Sequence, residues 1–248
     1  MTDAPPRPLD PGRTGAEAAY RALRQAIIDQ ELPPGTRLPE DDIGRPFGIS
    51  RTLVRQALQR LHGDGLVELG HKRTATVAQP TLAEARNVFS VRRALEREVV
   101  HAVAARWQPE FARRLEAHVR LEEDARRAGD ERVSIRLAGE FHQLLAELSG
   151  NDILEGYVTQ LVCRSSLILA LYARPHSAEC AVSEHRGVIV ALSTGDAEKA
   201  AALMDHHVGS VAARALVSDG RAERPLGDIL MKYGARPGSA TMAREQDI

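Results

Sequence analysis

One stretch, residues 48–61, constrains the fold of this chain most strongly, because it has the pattern of a helix with an apolar face and a basic face. Ser50 is placed to cap the first turn with its side-chain oxygen. Spacings of three and four residues create one apolar stripe, formed by Leu53 or Val54, Ala57, Leu58 and Leu61. Arg51, Thr52 and Arg55 remain on the outer face. The stretch therefore predicts the second helix of a helix-turn-helix, whose first residues reach into DNA.

A β-wing is predicted directly after this helix. Gly63, Asp64 and Gly65 suit the end of the helix, because such residues tolerate a positive φ. Residues 66–69 and 74–77 then have the composition of two short strands. The tip between them is basic and contains His71, Lys72 and Arg73. We expect these three side chains to contact the DNA backbone or the minor groove.

The charge distribution places the positive potential on this predicted DNA-reading region. The whole chain of 248 residues has a formal net charge of −1, which argues against indiscriminate coating of nucleic acid. Residues 47–80 hold five Arg or Lys side chains against two acidic ones, Asp64 and Glu68. Residues 81–220 hold 17 basic and 20 acidic residues. The basic surface is therefore local.

Proline-rich segments and helix-capping motifs predict the domain organisation. Residues 1–13 are rich in proline, which predicts a disordered arm. Residues 14–17 match a capping box, which predicts a helix over residues 16–30. A second helix is expected over residues 40–47, although Pro46 and Gly44 weaken it, so that it is kinked or ends early. Thr81 and Glu84 form another capping box and place a domain boundary near Pro80.

The remainder of the chain predicts a helical bundle. Residues 81–220 contain no strand alternation and six amphipathic stripes, which implies six packed helices, and residues 221–248 predict a loosely held tail. The predicted fold is thus mainly α, with a winged helix-turn-helix domain at residues 14–79 and an all-α domain at residues 81–220. No run of apolar residues approaches the 18 that a membrane-spanning helix needs, and the N-terminal residues lack the apolar segment of a secretory signal. The two cysteines, Cys163 and Cys180, do not have the pattern of a disulfide framework. We therefore expect a cytoplasmic protein that does not insert into membranes.

Three histidines lie on the apolar stripes of three different predicted helices. His142, His185 and His207 each stand three or four residues from apolar partners, which directs them inward. A single inward histidine is more often a satisfied core residue than a ligand. Three together are harder to explain in that way, because each buried imidazole needs partners and one metal ion would satisfy all three.

These motifs together resemble a known family of regulators. Residues 26–28, 32–38, 50–58 and 64–67 resemble the winged-helix DNA-binding domain of the GntR family, and the resemblance covers residues 16–78. Residues 141–142, 149–151, 184–189, 195–196 and 203–207 resemble the FCD effector domain of FadR-type GntR regulators. The resemblance implies a DNA-binding regulator whose C-terminal bundle senses a metabolite.

The resemblance also implies a metal site. In that family the histidines that match His142, His185 and His207 bind a divalent metal, usually with an Asp one turn before the first, where this chain has Ala138. Imidazole ligands suit zinc or nickel, and we expect a three-histidine site with open positions for a small carboxylate. Weak or absent metal binding, with structural histidines in a metal-free regulator, is the alternative.

Three further residues are candidates for binding the carboxylate effector. Arg92 matches the arginine that the family places in this cavity, and the alternative is a surface pair with Glu96 four residues later. Arg164 interrupts an apolar run, which suggests that it also reaches the effector. Asn151 is a weaker candidate, since its position favours a helix cap.

The function predicted from these features is transcriptional regulation without enzymatic activity. We expect a homodimer that acts as a repressor and binds a pseudo-palindromic operator in double-stranded DNA. Binding of the effector is expected to release the protein from the operator or to change its affinity for it. The alternative from another class is a metal-dependent hydrolase with a DNA-binding head, but Ala138 removes the plausible general base. A pyridoxal-phosphate enzyme is excluded, because Lys199 is the only lysine of the bundle and the chain is too short for that fold.

Overall fold

The computed structural model describes residues 11–70, 74–172 and 181–216. Its N-terminal elements are α1 (Pro11–Ile28), β1 (Arg37–Leu38), α2 (Glu40–Phe47), α3 (Arg51–Gly63), β2 (Val67–Glu68) and β3 (Ala75–Val77). Its C-terminal elements are α4 (Leu82–Ala105), α5 (Pro109–Arg127), α6 (Glu131–Leu148), α7 (Asp152–Tyr172), α8 (Ala181–Ser193) and α9 (Ala197–Ala215). The fold is a winged helix-turn-helix followed by a helical bundle, which confirms the fold class predicted from the sequence.

Helix α1 begins earlier than the sequence predicts. It starts at Pro11, inside the expected arm, and ends at Ile28 rather than at Gln30. Proline suits the first position of a helix, since its missing amide has no partner there and its φ is already helical. The predicted capping box at residues 14–17 therefore falls inside the helix, where Glu17 instead forms ion pairs with Arg21 and Arg60. Residues 1–10 of the arm and the tail at 221–248 lie outside the described residues.

The wing belongs to a small antiparallel sheet with β3 in the centre, in the order β1-β3-β2. Val67 of β2 faces Val77 of β3, and Arg37 of β1 faces Thr76. Both wing strands are shorter than predicted, and β1 was not predicted at all. A two-residue strand has no alternating pattern of its own, so only pairing with β3 creates it.

The helix-turn-helix unit consists of α2 and α3. Helix α2 has the predicted bounds and continues through Pro46 to Phe47, so the expected early end is not observed. Gly48 follows with a φ of 61°, and its amide donates to the carbonyl groups of Arg45 and Gly44. This left-handed residue reverses the chain and lets α3 begin at Arg51. The inner face of α3 is formed by Val54, Ala57, Leu58 and Leu61, all buried as predicted.

Two hydrophobic cores organise the described residues. The first joins α1, α2, α3 and the sheet through side chains such as Leu23, Ile27 and Leu61. The second fills the bundle, in which α4 packs against α9 and α7, α5 against α6 and α8, and α8 against α9. Cys163 and Leu167 of α7 belong to the first core rather than to the second. The winged helix-turn-helix domain is therefore docked directly on helix α7 of the bundle.

The connection into the bundle is a complete capping box. The Oγ1 atom of Thr81 accepts a hydrogen bond from the Glu84 amide at 3.2 Å, and the Glu84 carboxylate accepts one from the Thr81 amide at 2.8 Å. This confirms the predicted start of α4. Within the described residues, none of the helices combines the length and the hydropathy that a membrane crossing requires.

Replacement of Thr81 by Ala should remove one half of this capping box. We expect the free energy of unfolding to fall by about 1 kcal/mol, because one amide of the first turn loses its acceptor. Urea-induced unfolding followed by circular dichroism measures this loss. The matched control is Ser90→Ala, an exposed position within α4. Equal stability of the two variants would show that the cap contributes nothing.

Candidate functional site

The outer face of α3 presents two arginines to solvent. The side chains of Arg51 and Arg55 are 69% and 68% exposed, and each is paired with an acidic side chain in the first turn of α2. Arg51 makes two 2.7 Å contacts with the Asp41 carboxylate, and Arg55 makes one of 2.7 Å with Glu40. The hydrogen bond from Arg51 lowers the pKa of Asp41. Exposed pairs of this kind are weak, so the guanidinium groups are available to a stronger anion such as DNA.

The other predicted DNA contacts are only partly described. Thr52 is exposed beside Arg51 on the first turn of α3. Ser50 occupies the N-cap position with extended backbone angles, but its side chain makes no capping hydrogen bond. Its hydroxyl is therefore not used within the helix. His71, Lys72 and Arg73 of the predicted wing tip lie outside the described residues.

The three predicted histidines meet inside the bundle. His142 of α6, His185 of α8 and His207 of α9 are at most 3% exposed, and their ligand atoms all lie within 4.8 Å of one another. The Nε2 atom of His207 is 3.2 Å from the Nε2 atoms of both His142 and His185. The ring of Phe141 stacks on His185, with centroids 3.9 Å apart, and forms an apolar wall.

A different glutamate supports each of the three imidazole rings. The Nδ1 atom of His185 lies 2.9 Å from Glu122, and that of His207 lies 2.6 Å from Glu184. The Nδ1 atom of His142 is hydrogen-bonded to Glu96. An ionised carboxylate only accepts hydrogen bonds, so an imidazole that faces one carries its proton on Nδ1 and keeps its lone pair on Nε2. Carboxylates commonly orient metal-binding histidines in this way.

Burial also keeps the imidazoles neutral. It lowers the pKa of His185 to about 3 and that of His207 to about 4, and it lowers the pKa of His142 well below its usual value. Burial raises the pKa of Glu122 to about 7. Neutral imidazole is the form that binds a metal ion.

The arrangement fits a metal ion better than it fits a closed hydrogen-bond network. A hydrogen bond between two Nε2 atoms would need a second ring proton, which a neutral imidazole with a protonated Nδ1 does not have. Three buried lone pairs that face one another are costly unless a cation joins them. Nitrogen ligands 2.0–2.1 Å from a tetrahedral ion would be about 3.3 Å apart, close to the observed 3.2 Å. The three histidines can therefore hold a divalent metal.

A cavity of about 90 Å³ adjoins the histidines. Arg92 lines it and is buried, so it does not form the surface pair considered from the sequence, although it is hydrogen-bonded to Glu96. Ala138 also lines this cavity, so α6 supplies no carboxylate one turn before His142. The volume suits an acid of a few carbons, since it is well below the 300 Å³ or more that is typical of pockets for drug-sized ligands.

Two predicted effector contacts are not part of this cavity. Arg164 is exposed, and its guanidinium group packs against Gly65, just after α3. The contact is so close that a Cβ atom added to Gly65 would lie 2.0 Å from the Nε atom of Arg164. Asn151 is exposed and its side-chain oxygen accepts a hydrogen bond from the Leu154 amide, so it caps α7. The structure thus brings Arg92 to the cavity and leaves Arg164 and Asn151 outside it.

Comparison with known proteins identifies both domains. The family model described as bacterial regulatory proteins of the gntR family matches residues 15–77, and the FCD domain model matches residues 87–210. The chain belongs to the GntR family. As a GntR-family protein with an FCD domain, it is a transcriptional regulator.

Relatives described as HTH-type transcriptional regulators agree with this assignment. An HTH-type regulator from an unstable DNA locus of Streptomyces ambofaciens is 30% identical over 81% of this chain and 84% of its own. The HTH-type transcriptional repressor RspR of Escherichia coli is 24% identical over 82% of this chain and 90% of its own. A GntR structure from Rhodococcus sp. RHA1 is similar in fold, with a TM-score of 0.73 and 24% identity over 83% of this chain and 99% of its own.

Sequence reasoning about this GntR-family regulator missed the glutamates behind the histidines. Glu122 stands three residues after Val119 and seven after Leu115, so the helical spacing of α5 already placed it on an inward stripe. Glu96 was considered only as a surface partner of Arg92. Glu184 gave no signal beyond its position next to His185, since it meets His207 of another helix.

Replacement of Glu184 by Gln should weaken zinc binding at the three histidines. We expect a loss of about ten- to a hundredfold in affinity, because the amide no longer polarises the His207 ring as a carboxylate does. Competition with a chromogenic chelator measures the zinc affinity of the purified protein. Glu198→Gln, an exposed change on α9, the helix that carries His207, is the control. Zinc affinity equal to that of the control would contradict the supporting role of Glu184.

Proposed function

We propose that the protein is a homodimeric FadR-type repressor that binds a pseudo-palindromic DNA operator and is released by a small carboxylate metabolite. The observation that carries the proposal is the convergence of the Nε2 atoms of His142, His185 and His207 beside a small cavity in the bundle. A metal-free regulator leaves those lone pairs unsatisfied. The alternative hydrolase lacks a free base near them, because Glu96, Glu122 and Glu184 each bind an imidazole Nδ1.

The DNA-binding part of the proposal depends on α3. Arg51 and Arg55 project from its first two turns, where a recognition helix contacts base edges in the major groove. Arginine suits this role because its two parallel donors match the acceptors of guanine. Thr52 and the free hydroxyl of Ser50 add shorter polar contacts, and His71, Lys72 and Arg73 of the wing contact the backbone or the minor groove.

The sensing part depends on the three histidines and Arg92. His142, His185 and His207 would hold the ion, zinc or nickel by their ligand type. When bound, the metal supplies a Lewis acid with open positions for a carboxylate oxygen. Arg92 is aimed at the same cavity and offers paired N–H donors to that carboxylate. Its partner Glu96 also holds the Nδ1 atom of His142, which joins Arg92 to a metal ligand through one carboxylate.

The proposed homodimer follows from the way in which a winged helix-turn-helix domain binds DNA. One recognition helix covers only a half-site, so two heads related by a two-fold axis match a palindromic operator. Sedimentation of the protein alone and with operator duplex measures the stoichiometry. We expect two chains per duplex, and one chain per duplex would rule out this arrangement.

Loss of metal should also remove the response to the effector. We expect His207→Ala to bind less zinc than the unmodified protein, because one of three ligands is missing. In the presence of zinc, an effector found by screening small carboxylates should release operator from the unmodified protein and fail to release it from the variant. His206→Ala, next to it and exposed, is the control. An unchanged zinc content in His207→Ala would remove the metal site from the proposal.

Replacement of Arg55 by Ala should weaken binding to the operator by roughly ten- to a hundredfold, which corresponds to one base contact by arginine. An operator selected from a random duplex library and fluorescence anisotropy provide the measurement. Arg120→Ala, an exposed change on α5, is the control. If Arg55→Ala binds the operator as the control does, α3 is not the recognition helix.

Replacement of Asp41 by Asn should have the opposite effect. The change removes the carboxylate that competes with DNA for Arg51, so we expect severalfold tighter binding to all duplexes at low salt. The gain should shrink as salt is added, because exposed charges are screened. Anisotropy titrations at two salt concentrations test this. Weaker binding by the variant would mean that Asp41 orients Arg51 for the DNA rather than competing with it.

A further inference from the structure

The cavity beside the histidines is shared between the bundle and the DNA-binding domain. His142 and His207 line one part of it, and Arg24 and Ile28 of α1 line another. Arg24 reaches it across the interface in which Cys163 of α7 packs into the core of the DNA-binding domain. A ligand in this cavity therefore contacts the DNA-binding domain itself.

The cavity carries more positive charge than its own carboxylates neutralise. Four arginines line it, namely Arg24, Arg92, Arg136 and Arg214, against two glutamates, Glu122 and Glu140. Arg92 is paired with Glu96, and Arg136 is paired with Glu140 at 2.8 Å and with Asp29 at 3.1 Å. Two of the four arginines thus have acidic partners.

Among the described residues, the other two arginines have no carboxylate within ion-pair distance. The Nη2 atom of Arg24 lies 3.0 Å from the sulfur of Cys163, a poor acceptor in a thiol that burial keeps protonated by raising its pKa. The Nε atom of Arg214 is buried without any hydrogen-bond partner. Across residues 11–70, 74–172 and 181–216, neither guanidinium forms an ion pair with a carboxylate. The unpaired buried donor of Arg214 is costly, and an anionic ligand would satisfy it together with the partly buried Arg24 guanidinium.

The spacing separates this charge from the histidines. Arg214 stands seven residues after His207 on α9, which is about 10 Å along the helix axis. Its side chain leans toward the N-terminus of the helix and so shortens the gap. A ligand with one carboxylate at the histidines and a second a few carbons away reaches both places.

We propose that the effector is a dianionic acid of about four to six carbons whose second anionic group is bound by Arg24 and Arg214. This inference rests on the proposed function and adds the class of effector and the way in which it acts. Because Arg24 belongs to α1, the bound acid ties the DNA-binding domain to the bundle. The acid binds the docked arrangement better than any arrangement in which Arg24 has left the cavity, and it shifts the population accordingly.

A panel of matched acids tests the proposal on the full-length, zinc-loaded protein. Succinate and glutarate are the dianionic probes, and butyrate and propionate are the monoanionic ones, all at constant ionic strength. Calorimetry should show that one of the two dianions binds at least tenfold more tightly than butyrate. Arg24→Gln and Arg214→Gln should each remove that preference. Arg21→Gln should keep it, since Arg21 lies one turn earlier on α1, is 75% exposed and pairs with Glu17.

Three results of these binding measurements would overturn the proposal. Equal affinity for dianions and monoanions, no binding of any of the four acids, or equal behaviour of Arg24→Gln and Arg21→Gln would each eliminate the second anionic subsite. Loss of zinc binding or of operator binding by the unmodified protein would instead overturn the proposed function, so the two failures are distinguishable.

A second variant tests the coupling without any added ligand. Cys163→Asp places a carboxylate beside the Arg24 guanidinium, whereas Cys163→Asn places a neutral group of similar size there. We expect the Asp variant alone to shift operator affinity severalfold in the direction in which the dianion shifts the unmodified protein. A variant with Arg24→Gln added should lose this shift. Equal operator affinity of the Asp and Asn variants would show that charge at this contact does not control the DNA-binding domain.

Discussion

The FCD bundle is arranged around three buried imidazole rings whose Nε2 atoms converge. Each ring places its Nδ1 atom against a separate glutamate, and a neutral ring that donates this proton to an ionised carboxylate has no Nε2 proton for its neighbour. The three rings are buried in the bundle, and the ring of Phe141 closes one side of the site. Buried lone pairs that face one another are costly without a cation, which is why we propose this site as a receptor for a metal and, through the metal, for an oxygen ligand.

The position of helix α7 connects this receptor to the DNA-binding surface. Its apolar side chains fill the bundle, but Cys163 and Leu167 pack into the core of the winged helix-turn-helix. Exposed pairs such as Arg132 with Glu31 lie at the same interface. Exposed pairs contribute little, so the interface is held mainly by this small apolar contact, and a charged ligand beneath it can change its stability.

The free DNA-binding surface is covered by its own anions. Glu40 and Asp41 neutralise Arg55 and Arg51 in the absence of nucleic acid. Such pairs keep two long side chains ordered on the outer face of α3, and they give way to phosphate or to guanine at little cost. Because both arginines have acidic partners, this face of α3 carries little net charge in the unbound protein, and we propose that DNA replaces those partners.

The sequence by itself determined the helices, the capping box at Thr81 and the inward direction of the three histidines. These features follow from the spacing of apolar residues within one helix, which is a local property of the chain. The sequence analysis missed β1, because a two-residue strand has no periodic pattern. It also misplaced the start of α1, because a proline at the first helical position adds little to the helical periodicity. Only the tertiary structure decided that Glu184 supports His207, that Arg164 lies against Gly65, and that Arg24 joins the cavity. These contacts join residues far apart in the chain, and the packing of whole helices sets them, so no spacing within one helix encodes them.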